Sequence, residues 1–284
     1  MSDVKRSAKV LIVGAGVMGS GIAQVAAASG DDVWLYDRDS TAFSRALERI
    51  SSSLRRSVEK GHLSGESMHR TLNLIKPCDS LRDAGDCDIV VEAVKEDRDI
   101  KKAAFKELEG IVPRSAMIFS NTSMISISDL ASALEDKSRF CGMHFFNPVP
   151  RMALVEVIAG KETSPATVEF ACSLATRWGK KPVLAPDSPG FIVNRIFDAI
   201  KREALSLHEE GVDVSQIDQA VRLGLNFPMG PFELMDLIGL DTTYDCLVNQ
   251  ARQMNRNSEF GTRLPDLVSS GRHGRKSGRG FYTY

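Results

Sequence analysis

Residues 9–28 read KVLIVGAGVMGSGIAQVAAA, and this stretch decides the fold. Lys9 to Val13 form a short apolar run typical of a buried strand, and the small and apolar residues after Gly21 are typical of a helix. Between them, glycines follow the spacing G-x-G-x-x-G at Gly14, Gly16 and Gly19. Glycine permits a tight turn and lets backbone N–H groups approach a ligand closely. The stretch therefore predicts a strand, a turn and a helix whose N-terminus can hold a pyrophosphate.

A carboxylate ends the second apolar run, Val33 to Asp37, 18 residues after Gly19. At that place an Asp can accept hydrogen bonds from the ribose diol of an adenosine and repel a 2'-phosphate, which favours NAD over NADP. The neighbouring Arg38 is a cation that could tolerate the phosphate. The plain alternative is a glycine-rich turn beside an exposed Asp, with no ligand.

The rest of the chain alternates short apolar runs with longer amphipathic segments, such as Ser40 to Glu59, over about two thirds of its length. Further strands are predicted at Asp88–Val91, Met117–Asn121, Phe140–His144, Leu154–Ile158 and Pro182–Ala185. This order predicts an α/β fold with a doubly wound, mostly parallel sheet of the Rossmann type.

A turn-forming cluster at residues 187–190 ends the strand signals. After it, helices are predicted at Phe191–Glu210, Val214–Leu223 and Pro231–Ile238. We therefore expect an NAD-binding domain at residues 1–187 and an all-helical domain at residues 188–284.

Composition excludes several classes of protein. The 284 residues include 36 basic and 37 acidic side chains, so no overall positive field draws the chain to nucleic acid or to an anionic membrane. No apolar run approaches the roughly 20 residues that cross a bilayer, and the first strand starts too early for a signal peptide. The five cysteines lack C-x-x-C pairs and metal-site spacing. These features predict reduced thiols, no metal site and a cytoplasmic location.

Polar residues follow two neighbouring predicted strands. Ser123 comes after one, and His144 and Asn147 come at the end of the next, so all three are expected near the nicotinamide at the carboxyl edge of the sheet. Taken alone, a His beside two Phe residues also fits a packed core histidine.

Glu156 interrupts the apolar run 153–158. A buried carboxylate needs a donor or a cation, and His144 would supply one. The carboxylate would then orient the imidazole as a general base. The alternative places Glu156 in water on an edge strand.

With these motifs in place, the chain strongly resembles the short-chain L-3-hydroxyacyl-CoA dehydrogenase family, and within it the bacterial 3-hydroxybutyryl-CoA dehydrogenases. The resemblance spans GAGVMGSGIA (14–23), SNTS (120–123), GMHFFNPVP (142–150), DSPGFIVNR (187–195), FPMGPFELMDLIGLD (227–241) and KSGRGFY (276–282). It implies an NAD-dependent enzyme that interconverts an (S)-3-hydroxyacyl-CoA and its 3-keto form, and a homodimer formed through the C-terminal domain.

The resemblance also implies roles for individual residues. His144 is the catalytic base, Glu156 orients it, and Ser123 and Asn194 contact the substrate. Contacts to NAD fall on Gly14, Gly16, Val17, Met18, Gly19, Asp37, Glu92, Glu96, Lys101, Ser123 and Asn147.

Coenzyme A contacts fall on Ser53 and Lys60. Read without the family, Lys101 fits a solvated helix cation, and the basic helix face with Ser53 and Lys60 fits a merely solvated surface. Met124 stands where many members have a second Ser, a change that can reshape the acyl pocket.

Two other functions use the same features. A hydroxyacid or sugar-acid dehydrogenase of the L-gulonate type would use the same His and Glu without binding coenzyme A. A non-catalytic NAD-binding protein would keep only the glycine turn, because a fold does not dictate a function. The basic segment 271–280 could suggest RNA binding, but its charge is local, and we expect a structural closing segment.

Overall fold

The computed structural model describes residues 7–255 and 260–284. The chain divides into two compact units, Met1–Phe191 and Ile192–Tyr284. Among the described residues, no helix combines the length and the apolar character that crossing a membrane requires.

One eight-stranded sheet forms the centre of the first unit. Its strands are β1 (Lys9–Val13), β2 (Asp32–Tyr36), β3 (Ile75–Cys78), β4 (Ile89–Glu92), β5 (Met117–Ser120), β6 (Phe140–Phe145), β7 (Leu154–Ala159) and β8 (Lys181–Ala185). They lie in the order β3-β2-β1-β4-β5-β6-β7-β8, and every neighbouring pair is parallel except β6 with β7. The predicted Rossmann-type, mostly parallel sheet is confirmed.

Six helices accompany this sheet: α1 (Val17–Ala28), α2 (Ala42–Glu59), α3 (Gly65–Asn73), α4 (Arg98–Glu109), α5 (Ile127–Ala131) and α6 (Pro165–Arg177). The apolar stripe of α2 buries Ala46, Ile50 and Leu54, while Arg55 and Arg56 stay exposed. Burial of a side chain such as Ile50 or Leu54 stabilises the fold by about 1.5–3 kcal/mol. The same packing fixes the position of the polar face of α2.

The sequence analysis missed β3. This strand is only four residues long, and Lys76 and Pro77 interrupt its apolar run. It pairs with β2 alone and forms one edge of the sheet, where a Pro is tolerated because its missing N–H can face away from the ladder. Tertiary pairing, rather than a local pattern, makes these residues a strand.

The second unit is helical, as predicted. It contains α7 (Val193–Glu209), α8 (Val214–Leu225), α9 (Pro231–Ile238), α10 (Leu240–Gln253) and α11 (Arg263–Ser269), of which the last two were not predicted. Leu205, Phe232, Leu240 and Leu247 belong to its core, and each is at most 1% exposed. Asn226 ends α8 in the left-handed region, at φ 56°.

The last residues of the chain form hydrogen bonds with two buried carboxylates of this unit. Asp236 accepts hydrogen bonds from the N–H groups of Phe281 (3.0 Å) and Tyr282 (2.9 Å) and from the Tyr284 hydroxyl. The Tyr282 hydroxyl donates to Asp218 at 2.7 Å. The closing segment is therefore an ordered part of the helical unit.

Candidate active site

The glycine turn between β1 and α1 leaves an open space at the helix N-terminus. Gly14 has φ +106°, and a Cβ on it would lie 2.6 Å from the Ala93 carbonyl oxygen. A Cβ on Gly16 would meet nothing within 4 Å. Gly16 is also the N-cap and makes no side-chain cap bond, so the first N–H groups of α1, on Val17, Met18 and Gly19, have no intrahelical partner. A pyrophosphate fits this cradle, because these donors and the helix dipole both favour an anion.

A cavity of about 220 Å³ adjoins the turn and is lined by Gly14, Gly16, Asp37, Arg38, Glu107 and other residues. Asp37 Oδ2 accepts the Ala15 N–H at 2.7 Å, which ties the end of β2 to the turn. A carboxylate has about four acceptor positions, so capacity remains for ribose hydroxyls. Glu107, which the sequence analysis missed, adds a second carboxylate that disfavours a 2'-phosphate. Because it lies on α4, far along the chain, no local motif marks it.

The side chains of His144 and Glu156 form a hydrogen bond with each other. They lie directly opposite on β6 and β7, and His144 Nδ1 is 2.7 Å from Glu156 Oε2. His144 is 5% exposed and Glu156 is 0% exposed. Since β8 forms the edge of the sheet, β7 is an inner strand, and the alternative that put Glu156 in water is wrong.

Two phenylalanine rings pack against the His144 ring. The ring centroids of Phe146 and Phe191 lie 4.5 Å and 5.6 Å from that of the imidazole. Phe191 is buried with φ 50°, a left-handed conformation that is uncommon for a bulky residue. The His144 ring is therefore packed among aromatic side chains, as the alternative predicts, and it is also hydrogen-bonded to a carboxylate. Because Nδ1 meets Glu156, Nε2 is the nitrogen that can exchange a proton with a substrate.

Glu96 organises the loop after β5. Its Oε1 accepts hydrogen bonds from the Thr122 hydroxyl (2.6 Å) and from the N–H groups of Ser123 (2.9 Å) and Met124 (3.1 Å). Asn121 Oδ1 accepts the N–H of the β6 residue that follows His144, at 2.9 Å. Ser123 is therefore held on a loop that is hydrogen-bonded both to Glu96, just before α4, and to the strand that carries His144.

A buried ion pair lies next to Glu96. Lys101 Nζ is 2.6 Å from Glu92 Oε1 and 3.4 Å from Glu96 Oε2, and the Glu92 and Lys101 side chains are 0% and 1% exposed. Burial raises the pKa of Glu92, and hydrogen bonds from Lys101, Ser120 and Val94 oppose this rise. The alternative of a solvated Lys101 is wrong. Neither side chain faces the surface, and Lys101 connects Glu92 to Glu96.

The predicted coenzyme A residues lie in a basic groove, defined here as the cavity of about 510 Å³ lined by Ser53, Arg56, Ser57, Lys60, His62, Pro148, Pro150 and Arg151. A second cavity of about 460 Å³ shares four of these residues and extends to Arg49, Val17 and Asn147. The groove therefore leads from Lys60 to the N-terminus of α1. Arg56, His62 and Arg151 were missed as site residues because two distant segments, residues 53–62 and 148–151, form the groove together. The sequence signal that could have identified Arg151 is its position shortly after the HFFNP motif, in the same loop.

Most of the predicted residues thus lie around the carboxyl ends of the strands of the first unit. Asn194 belongs to the second unit, where it is the second residue of α7 and is partly buried.

The fold and this site define a dinucleotide-binding protein of the dehydrogenase type, with a histidine and a carboxylate at its centre. Family models agree: residues 9–188 match "3-hydroxyacyl-CoA dehydrogenase, NAD binding domain", and residues 190–284 match "3-hydroxyacyl-CoA dehydrogenase, C-terminal domain". The chain belongs to the 3-hydroxyacyl-CoA dehydrogenase family.

Relatives of known or assigned function are similar over nearly the whole chain. A probable 3-hydroxybutyryl-CoA dehydrogenase of Deinococcus radiodurans is 42% identical over 96% of this chain and 99% of its own length. The 3-hydroxyadipyl-CoA dehydrogenase of Escherichia coli is 41% identical over 97% of this chain, which spans 58% of that protein. The crystal structure of (S)-3-hydroxybutyryl-CoA dehydrogenase from Ralstonia eutropha matches with a TM-score of 0.93 and 40% identity, over 98% of this chain and 99% of the other.

Proposed function

We propose that this protein interconverts an (S)-3-hydroxyacyl-CoA and the 3-ketoacyl-CoA with NAD, with 3-hydroxybutyryl-CoA and acetoacetyl-CoA as the preferred pair. The observation that carries the proposal is the 2.7 Å contact between the buried His144 and Glu156. Such a pair serves proton exchange with a hydroxyl group, and the cradle at the start of α1 serves a dinucleotide.

In this mechanism His144 Nε2 removes the proton from the 3-hydroxyl group. Bound NAD supplies the acceptor for the hydride that leaves the same carbon. Glu156 holds Nδ1 and stabilises the imidazolium that forms, as a carboxylate does in a hydrolase triad. Ser123 and Asn194 orient the substrate oxygen, so that the proton and the hydride leave along fixed directions. In the reverse direction the imidazolium returns the proton.

Some residues would contact the cofactor, and others would hold these contact residues in place. Gly14, Gly16 and the first turn of α1 would hold the pyrophosphate, and Asp37 the adenosine ribose. Glu96, Ser123 and Asn147 would meet the nicotinamide half. Glu92 and Lys101 would act indirectly, because they hold Glu96 and the end of β5 in place.

The basic groove is the proposed site for the phosphates of coenzyme A. Ser53 offers a hydroxyl donor, and Lys60, Arg56 and Arg151 offer cations around one concavity. Phosphate groups are well matched by clustered guanidinium and ammonium donors.

The decisive test is NADH oxidation followed at 340 nm with acetoacetyl-CoA, run beside NADPH and beside free acetoacetate. Fast loss of NADH only with the CoA ester is expected. Activity on the free acid alone would favour the sugar-acid dehydrogenase, and no activity would favour a non-catalytic protein. His144→Gln should abolish most turnover and leave NADH affinity intact, whereas near-normal turnover would remove His144 from the role of base.

Three further properties belong to the proposal. The NAD-binding domain would end at residue 187 and the helical domain begin at residue 188. A homodimer would form through the helical domain, and the exposed apolar side chains Ile196, Leu223, Leu225 and Phe227 support this, because such patches mark interfaces. Light scattering after size exclusion should give twice the chain mass, and a monomer would contradict this expectation.

The proposed location is the cytoplasm. Support comes from the cysteines, which are all free, and burial raises the pKa of Cys87 and Cys141 to about 12. Such thiols suit a reducing compartment.

A further inference from the structure

Lys180 is a buried cation without a carboxylate partner in the described part of the chain. It is 7% exposed, and its Nζ donates hydrogen bonds to the carbonyl groups of Val149 and, at 3.0 Å, Met152. Burial lowers the pKa of Lys180, and no neighbouring carboxylate opposes this effect. Burying a charge costs free energy unless hydrogen bonds or opposite charges compensate for the lost water. For Lys180, the two hydrogen bonds to carbonyl groups provide that compensation.

Both carbonyl groups belong to the β6–β7 loop, residues 146–153, which joins the strand of His144 to the strand of Glu156. Pro148 and Pro150 have no N–H to donate, and the loop's own backbone bonds both run to the Pro148 carbonyl. The loop therefore has few internal hydrogen bonds. Lys180 donates to two of its carbonyl groups, one in the middle of the loop and one near its end.

The loop takes part in two of the proposed binding sites. Asn147 lines the cavity that reaches the N-terminus of α1, and Arg151 lines the basic groove. Between them, the side chain of Val149 is buried against α1, where a Cβ on Gly21 would come within 2.8 Å of it. A shift of this loop would move a cofactor contact and a phosphate contact together.

Lys180 itself has a rigid base. Gly179 follows α6 in the left-handed region, at φ 72°, and the Lys180 N–H donates to the Ala175 carbonyl at 2.8 Å. The next N–H, on Lys181, donates to Ala153 at 2.7 Å, where β8 begins. The backbone of Lys180 is therefore fixed from both sides, and its ammonium group is a fixed point for the loop.

We propose that Lys180 is a positioning residue that holds the β6–β7 loop in the form that presents Asn147 to the cofactor and Arg151 to the phosphates of coenzyme A. This inference rests on the proposed function. It assigns Lys180 no contact with substrate or cofactor. Its effect is on binding, because the His144–Glu156 pair is made by the two strands and not by the loop.

The test compares Lys180→Met with Lys180→Arg and with the control Lys181→Met, which changes the exposed neighbour. Lys180→Met removes both hydrogen bonds from the ammonium group to the loop. It should raise the KM for acetoacetyl-CoA and the Kd for NADH by at least about tenfold each, with kcat changed less than about threefold. Lys180→Arg should restore both values to within about threefold, because Arg keeps the cationic donors. Lys181→Met should match the wild type.

A folded Lys180→Met with unchanged KM and Kd and a lower Tm would overturn the proposal, since the contact would then serve stability alone. If that variant does not fold, Lys180→Ala, which also removes every donor, is measured in its place, and wild-type KM and Kd values for it would overturn the proposal as well. Kd for NADH is read from fluorescence and needs no turnover. An inactive wild type would therefore refute the proposed reaction while the binding comparison still decides the role of Lys180.

Discussion

Replacement of Glu156 by Gln is the sharpest perturbation of the site. The substitution keeps the shape of the side chain and removes its charge, at a position that is 0% exposed and 2.7 Å from His144 Nδ1. When His144 takes the substrate proton, the ring becomes a cation beside this carboxylate. At an effective dielectric constant of about 20 and a charge separation of about 4 Å, the attraction is about 4 kcal/mol. Because 1.36 kcal/mol corresponds to tenfold in rate, kcat should fall about 1000-fold.

The assay is NAD reduction with (S)-3-hydroxybutyryl-CoA, the direction in which His144 becomes a cation, at saturating substrate across the neutral pH range, with NAD affinity measured separately. That affinity should not change, because Glu156 does not line the cradle or its cavity. Glu162→Gln is the matched control, since Glu162 is exposed and pairs with Lys137. A folded Glu156→Gln with kcat within tenfold of the wild type at every pH would refute the electrostatic role.

Three other changes test the surroundings of the site. Lys101→Met should lower the free energy of unfolding by about 3–5 kcal/mol in urea, because it leaves Glu92 buried without a counter-ion. Burial raises the folded-state pKa of Glu92 above its ordinary value of 4.5, so this variant should lose stability as pH rises above that value; a flat profile would contradict it. Hydrogen bonds from Arg98 and Lys102 lower the pKa of Asp129 to about 2, so its contribution is present above pH 3.8 and lost as pH falls towards 2. Asp129→Asn should flatten that part of the acid-unfolding curve, and an unchanged curve would argue against the ion pairs. Asp37→Ser should raise kcat/KM with NADPH relative to NADH by about tenfold, and a constant ratio would mean that Asp37 does not select the cofactor.

The sequence was informative wherever a local pattern met a backbone requirement. The strand Lys9–Val13 and the glycines after it predicted the cradle, because only glycine tolerates φ +106° at Gly14 and the close approach to Ala93. Glu156 could be singled out because a carboxylate in an apolar strand needs a partner. The order of strands and helices predicted the fold class and the helical second unit.

Residues that act through contacts between distant segments gave no such signal. Lys101 could be read as a solvated helix cation, because its burial depends on Glu92 of a neighbouring strand. Arg151 and Lys180 follow no periodic pattern: Arg151 joins the basic groove through the fold of the β6–β7 loop, and Lys180 reaches that loop from the turn between α6 and β8. The strand β3 exists because β2 offers an edge, and its own four residues do not indicate one.

By itself, the amino-acid sequence determined the strand–turn–helix cradle, the sheet class and the identity of the polar residues at the strand ends, because turns and hydrophobic periodicity are local properties. Only the tertiary structure decided which charges are buried and with whom they pair. The register of β6 against β7 sets His144 opposite Glu156, and the packing of α4 on the sheet encloses Lys101 with Glu92. The physical reason is that the cost of burying a charge and the gain from pairing it depend on neighbours that only the folded chain brings together.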